Sequence, residues 1–305
     1  MTAKIKTFNK SFRSTWQLHM LVLPGFILLV VFGYIPLMGI TLAFKEFSPV
    51  KGIWGSNWTG LENFKYMLSL PDTFTAIKNT FIISILKIVL SFPVPIVFAL
   101  LLNEVGSKLC KKLVQTSVYL PYFVSWVLLA GIMIDMFSSD GGLVNQIIGV
   151  FGVKPLYFLG DNRLFIWVII FSDIWKTFGY LSVIYLAALT NIDPGLYEAS
   201  YMDGANRWQQ TWHITIPGIL PVIVLMSCLS LGNIMNANFD QIFNLYNPMV
   251  YQSSDIIDTL VYRITFLNFD YSLGTALGLF KGVVSFIMLV AGYRLAYRTT
   301  GYKIF

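Results

Sequence analysis

One short run of the chain gathers side chains able to hold a polyhydroxylated ligand: Asn233, Asn236, Asn238, Phe239, Asp240 and Gln241. Amides both donate to and accept from hydroxyls, and flat rings pack on apolar sugar faces. The run closes an apolar stretch, where three amides facing lipid would be costly, so they face protein or water. Asn236 and Asn238, two residues apart, cannot share one helical face with Asn233. Some of the three are therefore free to bond neighbouring helices or another subunit instead of lining a path. Lys87 lies near the middle of another apolar stretch. A charge there costs about 2.5–3.5 kcal/mol on insertion scales, so it must face the bundle, a carboxylate or a watery cavity. Asp173 and Lys176, three apart, are placed to pair locally, and Lys281 is placed to snorkel outward. A proton relay through these charges is the sharper alternative.

Other chemistry is poorly served. His19 and His213 are the only histidines, and Cys110 and Cys228 are too few and too scattered for a disulfide framework or a zinc site. No nucleophile motif accompanies either histidine, so the sequence reads as a non-enzyme that binds no cofactor and no metal itself. No G-x-x-x-x-G-K-[ST] run is present, so any ATP hydrolysis belongs to a separate subunit.

The elements that must position these residues are set by composition. Of the 305 residues, 56% are hydrophobic and only 12% charged, with a mean hydropathy of +0.68. Soluble domains carry roughly twice that charge, so lipid is the solvent for much of the chain. A crossing needs about 20 mostly apolar residues, and residues 18–44, 74–102, 113–137, 164–190, 214–239 and 274–297 qualify. The first is too long for a usual signal-peptide core and reads as an anchored span. Trp126, Trp167 and Trp175 suit span packing or interfacial belts as well as sugar stacking. Residues 45–72, 138–163 and 240–273 read as extramembrane loops, the first with a small helix around 61–70 and the others with turns at Gly141-Gly142 and Asn247-Pro248. Pro36, Pro93, Pro95, Pro121, Pro217 and Pro221 interrupt spans, as tolerated packing or as hinges.

Basic residues set the orientation. With both termini cytoplasmic, Lys4, Lys6, Lys10, Arg13, Lys108, Lys111, Lys112, Arg207, Arg294, Arg298 and Lys303 lie inside, and the acids fall mainly outside. The net charge of +6 then records orientation and implies no nucleic-acid partner.

Residues 191–217 form the most informative loop. Asp193-Pro194 starts a helix predicted to run to about Met202. Gly204 supplies a left-handed cap, and Asp203 is expected to cap a second helix from Ala205 to Ile216. Leu196, Tyr197, Ala199, Tyr201 and Met202 make the first helix apolar and aromatic, while Ala199, Ser200, Gly204 and Ala205 permit close approach. Such a helix fits a partner's groove or rests on lipid headgroups.

The spacing of Glu198-Ala199-Ser200, Gly204, Ile214, Ile216-Pro217 and Pro221 resembles the EAA loop of binding-protein-dependent ABC importer permeases. In that family the pattern reads Glu-Ala-Ala, three residues, Gly, nine residues, Ile, one residue, Leu-Pro. Ser200 and Ile216 depart from it by small changes in size. Phe239 to Phe243, then Asn247-Pro248, Asp258-Thr259-Leu260 and Tyr262, resemble the carbohydrate-importing branch. Leu245-Tyr246-Asn247-Pro248 in place of Thr-x-Gly-Gly-Pro, with residues 43–47 and 52–56, resembles its LplB-like oligosaccharide and polysaccharide type.

The resemblance implies an all-α integral membrane protein of the type I importer permease fold, residues 1–305 forming one permease domain in a bacterial plasma membrane. It implies a second permease, two ABC ATPase subunits carrying ATP and Mg, an extracytoplasmic sugar-binding lipoprotein and an oligosaccharide cargo. The ATPase-coupling residues would be Leu196, Tyr197, Glu198, Ala199, Ser200, Met202, Asp203, Gly204 and Ala205. The substrate path would use Asn233, Asn236, Asn238, Phe239, Asp240 and Lys87. A non-sugar cargo and an ATP-independent secondary transporter are the alternatives, and the latter has no reason to carry this loop.

Overall fold

The computed structural model describes the backbone of residues 2–300 and the side chains of residues 15–294, 297 and 298. Lys4, Lys6, Lys10, Arg13 and Lys303 of the charge inventory lie outside the described side chains. Among the described residues, five helices are long and apolar enough to cross a membrane: Thr15–Phe44, Pro71–Asn103, Asn162–Leu189, Arg207–Gly232 and Tyr271–Arg294. The region read as the third span, 113–137, with an interruption expected at Pro121, is Lys108–Phe123 followed by Trp126–Met136, bent by 97°. Counted as one span, this pair makes six.

Contacts divide the chain into two units, one of residues 1–67 with 264–279, the other of residues 68–263 with 280–305. In the first, Lys45–Glu46 and Asn57–Trp58 pair antiparallel, Lys45 opposite Trp58. The hairpin is tied down by Asn63, whose amide donates to the carbonyls of Ala43 (3.0 Å) and Lys45 (2.9 Å), and by Phe44 stacked on Trp58. The small helix expected near 61–70 is Glu62–Ser69. The amide of Phe47 donates to Ser272 Oγ at 2.9 Å.

In the second unit the Asn162–Leu189 helix is the mast. Asp161 caps it by accepting from the amides of Leu164 and Arg163, which hold its carboxyl below the ordinary range. Its first half joins Ile83, Trp126, Leu129, Met133, Ile242 and Val250 in one apolar cluster through Phe165, Val168 and Ile169. The second half packs Tyr185, Leu186 and Leu189 against Ala99, Leu102 and Ile219. At Gly179 the helix touches the backbone of the Lys108–Phe123 helix, where a Cβ would stand 2.4 Å from the Val118 oxygen. Small residues also seat the fifth apolar helix on the last: a Cβ at Gly232 or Gly292 would collide with Leu289 or Leu231.

Segment 240–273 is not an irregular loop. It contains the helices Phe239–Leu245 and Ile257–Tyr262, and its part in this unit is bound to the Pro71–Ser91 helix. Asn79 donates to the carbonyls of Gln252 and Asp255, and Thr80 Oγ1 accepts from the Ile257 amide. Buried Asp255 takes a bidentate pair from Arg263 (2.8 and 2.6 Å), whose guanidinium lies over the Tyr251 ring. Burial, with Tyr251 beside it, pushes the Tyr246 hydroxyl up to about 12.

The sharp bend has a cause. Pro121 sits just before it, and Val124 and Ser125 adopt extended geometry. A broken helix leaves carbonyls without partners. Lys176 supplies them, donating to the oxygens of Pro121 (3.1 Å), Tyr122 (2.7 Å) and Val124 (2.7 Å). Lys176 therefore does not take Asp173 as its partner, contrary to the local pairing expected from their spacing. Replacing Lys176 with Met should orphan the Tyr122 and Val124 carbonyls, the Pro121 oxygen keeping the Val124 amide, at a cost on the order of 3 kcal/mol. The expected outcome is a clearly lower melting temperature in detergent, while an unchanged melting temperature would refute the role.

Candidate functional site

A cavity of about 800 Å³ opens among the second unit's helices, lined by every residue of the expected path: Lys87, Asn233, Asn236, Asn238, Phe239 and Asp240. The fifth apolar helix ends at Gly232, not near 239 as hydropathy predicted. That early end resolves the amide spacing. Residues 233–238 are not one helix, so their side chains need not share a helical face, and all three amides reach the same space. Asn238 takes a left-handed backbone (φ 71°), which asparagine tolerates better than most residues. From there it caps the Phe239–Leu245 helix by accepting from the Gln241 amide.

A polar knot fixes one wall. Lys87 Nζ lies 3.4 Å from Asp173 Oδ1, donates to the Ala237 carbonyl at 3.0 Å and is bonded to Gln241 Oε1. The Gln241 amide in turn donates to the Ile169 carbonyl (2.6 Å) and to Ser172 Oγ (2.8 Å), and Asn238 donates to Asp173 (3.1 Å). Asp173 thus serves Lys87, a partner 86 positions away, in place of Lys176. Lys281 does not snorkel: it pairs with Asp258 at 2.5 and 2.7 Å.

Sequence reasoning missed several lining residues, among them Ser84, Ser91, Tyr122, Asp173, Thr177 and Ser230. A signal did exist for two of them. Ser84, Lys87 and Ser91 recur at i, i+3 and i+7, one face of a helix.

Around 191–217 the first helix is Pro194–Met202, capped by the Asp193 side chain on the Gly195 amide. Gly204 has φ +79°, as a left-handed cap requires. Asp203 does not cap the next helix. Asn206 does, in a reciprocal box with Gln209, and the helix starts at Arg207. It passes through a π-helical turn, Thr211–Thr215, into the Ile216–Gly232 helix. Two side-chain bonds tie the loop helix to this turn and its approach: Tyr197 Oη with Thr215 Oγ1 (3.0 Å), and Gln210 Nε2 to Ser200 Oγ (3.0 Å). Leu196, Tyr201 and Met202 stay exposed.

Residues 91–300 match the model of the binding-protein-dependent transport system inner membrane component family. The chain belongs to that family. This permease is 41% identical over 279 residues to the polygalacturonan/rhamnogalacturonan transport system permease YteP of Bacillus subtilis, covering 92% of this chain and 87% of that one. It is 37% identical to protein LplB of the same organism, covering 93% and 89%. Among solved structures it matches a chain of a bacterial ABC transporter involved in import of the acidic polysaccharide alginate. There the TM-score is 0.89 at 37% identity, over 96% of this permease and 99% of that chain.

The polar knot in this permease sits inside the bundle, so breaking half of it should cost more than removing it whole. Lys87→Met leaves Asp173 buried without its cation and should cost about 3–5 kcal/mol, with part recovered when Asp173→Leu is added. Thermal denaturation of the two variants in detergent measures this. Strictly additive losses would show that the two residues do not interact.

Proposed function

We propose that this chain is one of two permease subunits of an ATP-driven importer of oligosaccharides or other complex carbohydrates. The observation that carries the reading is the cavity, where amides, hydroxyls, Phe239 and Tyr122 combine as a sugar site requires. The carbohydrate cargoes named for the relatives agree with it. Both units belong to a single permease domain in the bacterial plasma membrane, with both termini cytoplasmic. A second permease completes the path, two ABC ATPase subunits carry ATP and Mg, and an extracytoplasmic sugar-binding lipoprotein delivers the cargo.

The Pro194–Met202 helix docks in an ATPase cleft, with Leu196, Tyr197, Ala199, Ser200 and Met202 at the contact and Glu198 at its rim. Asp203, Gly204 and Ala205 form the turn behind it. Closure of the ATPase dimer moves this helix, and the bonds of Tyr197 and Ser200 pass the motion to the helix ending at Gly232. The cavity then exchanges inward for outward access, a switch needing about 5.5 kcal/mol of differential binding to go from 1:99 to 99:1.

The test uses the complete transporter in liposomes. Gly204→Asp, which forces a side chain onto a left-handed backbone, and Glu198→Lys should each lower glycan-stimulated ATP hydrolysis and uptake roughly tenfold or more. Assembly, followed by copurification of the ATPase, separates a coupling defect from misfolding. Wild-type stimulation in a normally assembled variant would refute the coupling role.

A further inference from the structure

We infer that this permease's wall of the cavity is built for uncharged glycans and that Asp240 is the residue that discriminates against uronic acids. The inference rests on the carbohydrate reading above and narrows it. Among the described residues lining the cavity, Lys87, Asp173 and Asp240 carry charge. An ammonium has three donors. Those of Lys87 are met by Asp173, the Ala237 carbonyl and Gln241, and its side chain is only 8% exposed. No cation is therefore left for a ligand. Asp240, by contrast, is exposed at the cavity wall, and no side-chain hydrogen bond or ion pair engages its carboxylate. With Lys87 and Asp173 cancelling each other, one negative charge remains uncompensated.

The neutral lining supplies no cation either: Ser84 and Ser91 share the Lys87 face, line the cavity and carry no charge. A carboxylate drawn beside Asp240 also meets like charge where protein replaces most of the water, so repulsion is screened less than in bulk. The cargoes named for two relatives, polygalacturonan and alginate, are polyanions. On this wall the present chain is not charge-complementary to them.

The experiment compares two probes of one backbone, an oligogalacturonate and the same oligomer fully methyl-esterified, in which a neutral ester replaces each carboxylate. Uptake of each is measured with the complete transporter and its binding protein in liposomes, for the wild type, Asp240→Asn and Asp240→Glu. The binding protein is common to all, so a change in the ratio between probes belongs to this chain. The wild type should favour the ester, Asp240→Asn should shift the ratio toward the uronate by roughly tenfold, and Asp240→Glu should keep the wild-type ratio. Should Asp240→Asn fail to assemble, Asp240→Ser gives the same comparison. A ratio unmoved by loss of the carboxylate, or equal uptake of both probes by the wild type, overturns the assignment of Asp240. Uptake of neither probe, with ATP hydrolysis stimulated by a non-sugar solute, overturns the carbohydrate reading and this inference with it.

Discussion

An ammonium carried into an apolar bundle cannot be left to water, and the way Lys87 is satisfied sets the shape of everything around it. Its partners come from two stretches remote from its own helix: the Asn162–Leu189 helix through Asp173, and residues 237–241 through the Ala237 carbonyl and Gln241. Because a buried charge with an unmade bond is so costly, its own helix and those two stretches are held to one arrangement. Asn238 is held in the same knot through Asp173, which fixes the left-handed turn where the apolar helix has already ended. The cavity edge is thus a by-product of paying off one charge. Polar groups in such a network also strengthen one another in low dielectric surroundings.

Lys176 solves a different problem on the same mast. The 97° bend after Phe123 would expose unpartnered carbonyls, which neither lipid nor an apolar core can bond. A flexible four-carbon stem ending in three donors reaches several of them at once, with Tyr122 and Trp126 rings each 5.5 Å from the charge. Tyr122 also stacks on Tyr180 of the mast at 3.9 Å, so the bend is clamped from two sides. Gly179 completes the clamp by letting backbone meet backbone at Val118. The result is a rigid corner beside the cavity, with Tyr122 itself on the lining.

Features with local causes were legible in the residues. The Asp193-Pro194 start and the Gly204 cap follow from short-range geometry, and the Pro194–Met202 helix has the bounds those residues predict. Most apolar helices follow from hydropathy in the same way. What escaped were consequences of long-range partners. Asp173 and Lys176 have ideal spacing for a local pair, yet each finds a more demanding partner: a buried ammonium for the one, orphaned carbonyls for the other. Pro121 marked the place of the bend but not its sharpness, because Val124 and Ser125 leave the apolar window almost unchanged and hydropathy carries no information about direction. Asp203 looked like the next cap, but Asn206 stands three residues before Gln209 and can exchange both bonds of a capping box.

The cavity and the loop meet through one helix, and that has a mechanical consequence. The Ile216–Gly232 helix begins at the π-helical turn that holds Thr215 and ends where the amide run begins. Tyr197 and Ser200 fasten the loop helix to that turn and its approach by two separate bonds, to Thr215 and from Gln210, so a pivot about either one is resisted by the other. Gly218 lets the Ile192 side chain pack close to this helix, since a Cβ there would stand 2.8 Å from it. Under the coupling proposed above, a push on the loop would reach Asn233 along this helix, which runs unbroken from Ile216 to Gly232. The π-helical turn Thr211–Thr215 is the break in α-helical hydrogen bonding along this line, and turns of that kind recur at functional sites. Under the proposed coupling, bending would concentrate at this turn and leave the Ile216–Gly232 helix to move as one piece.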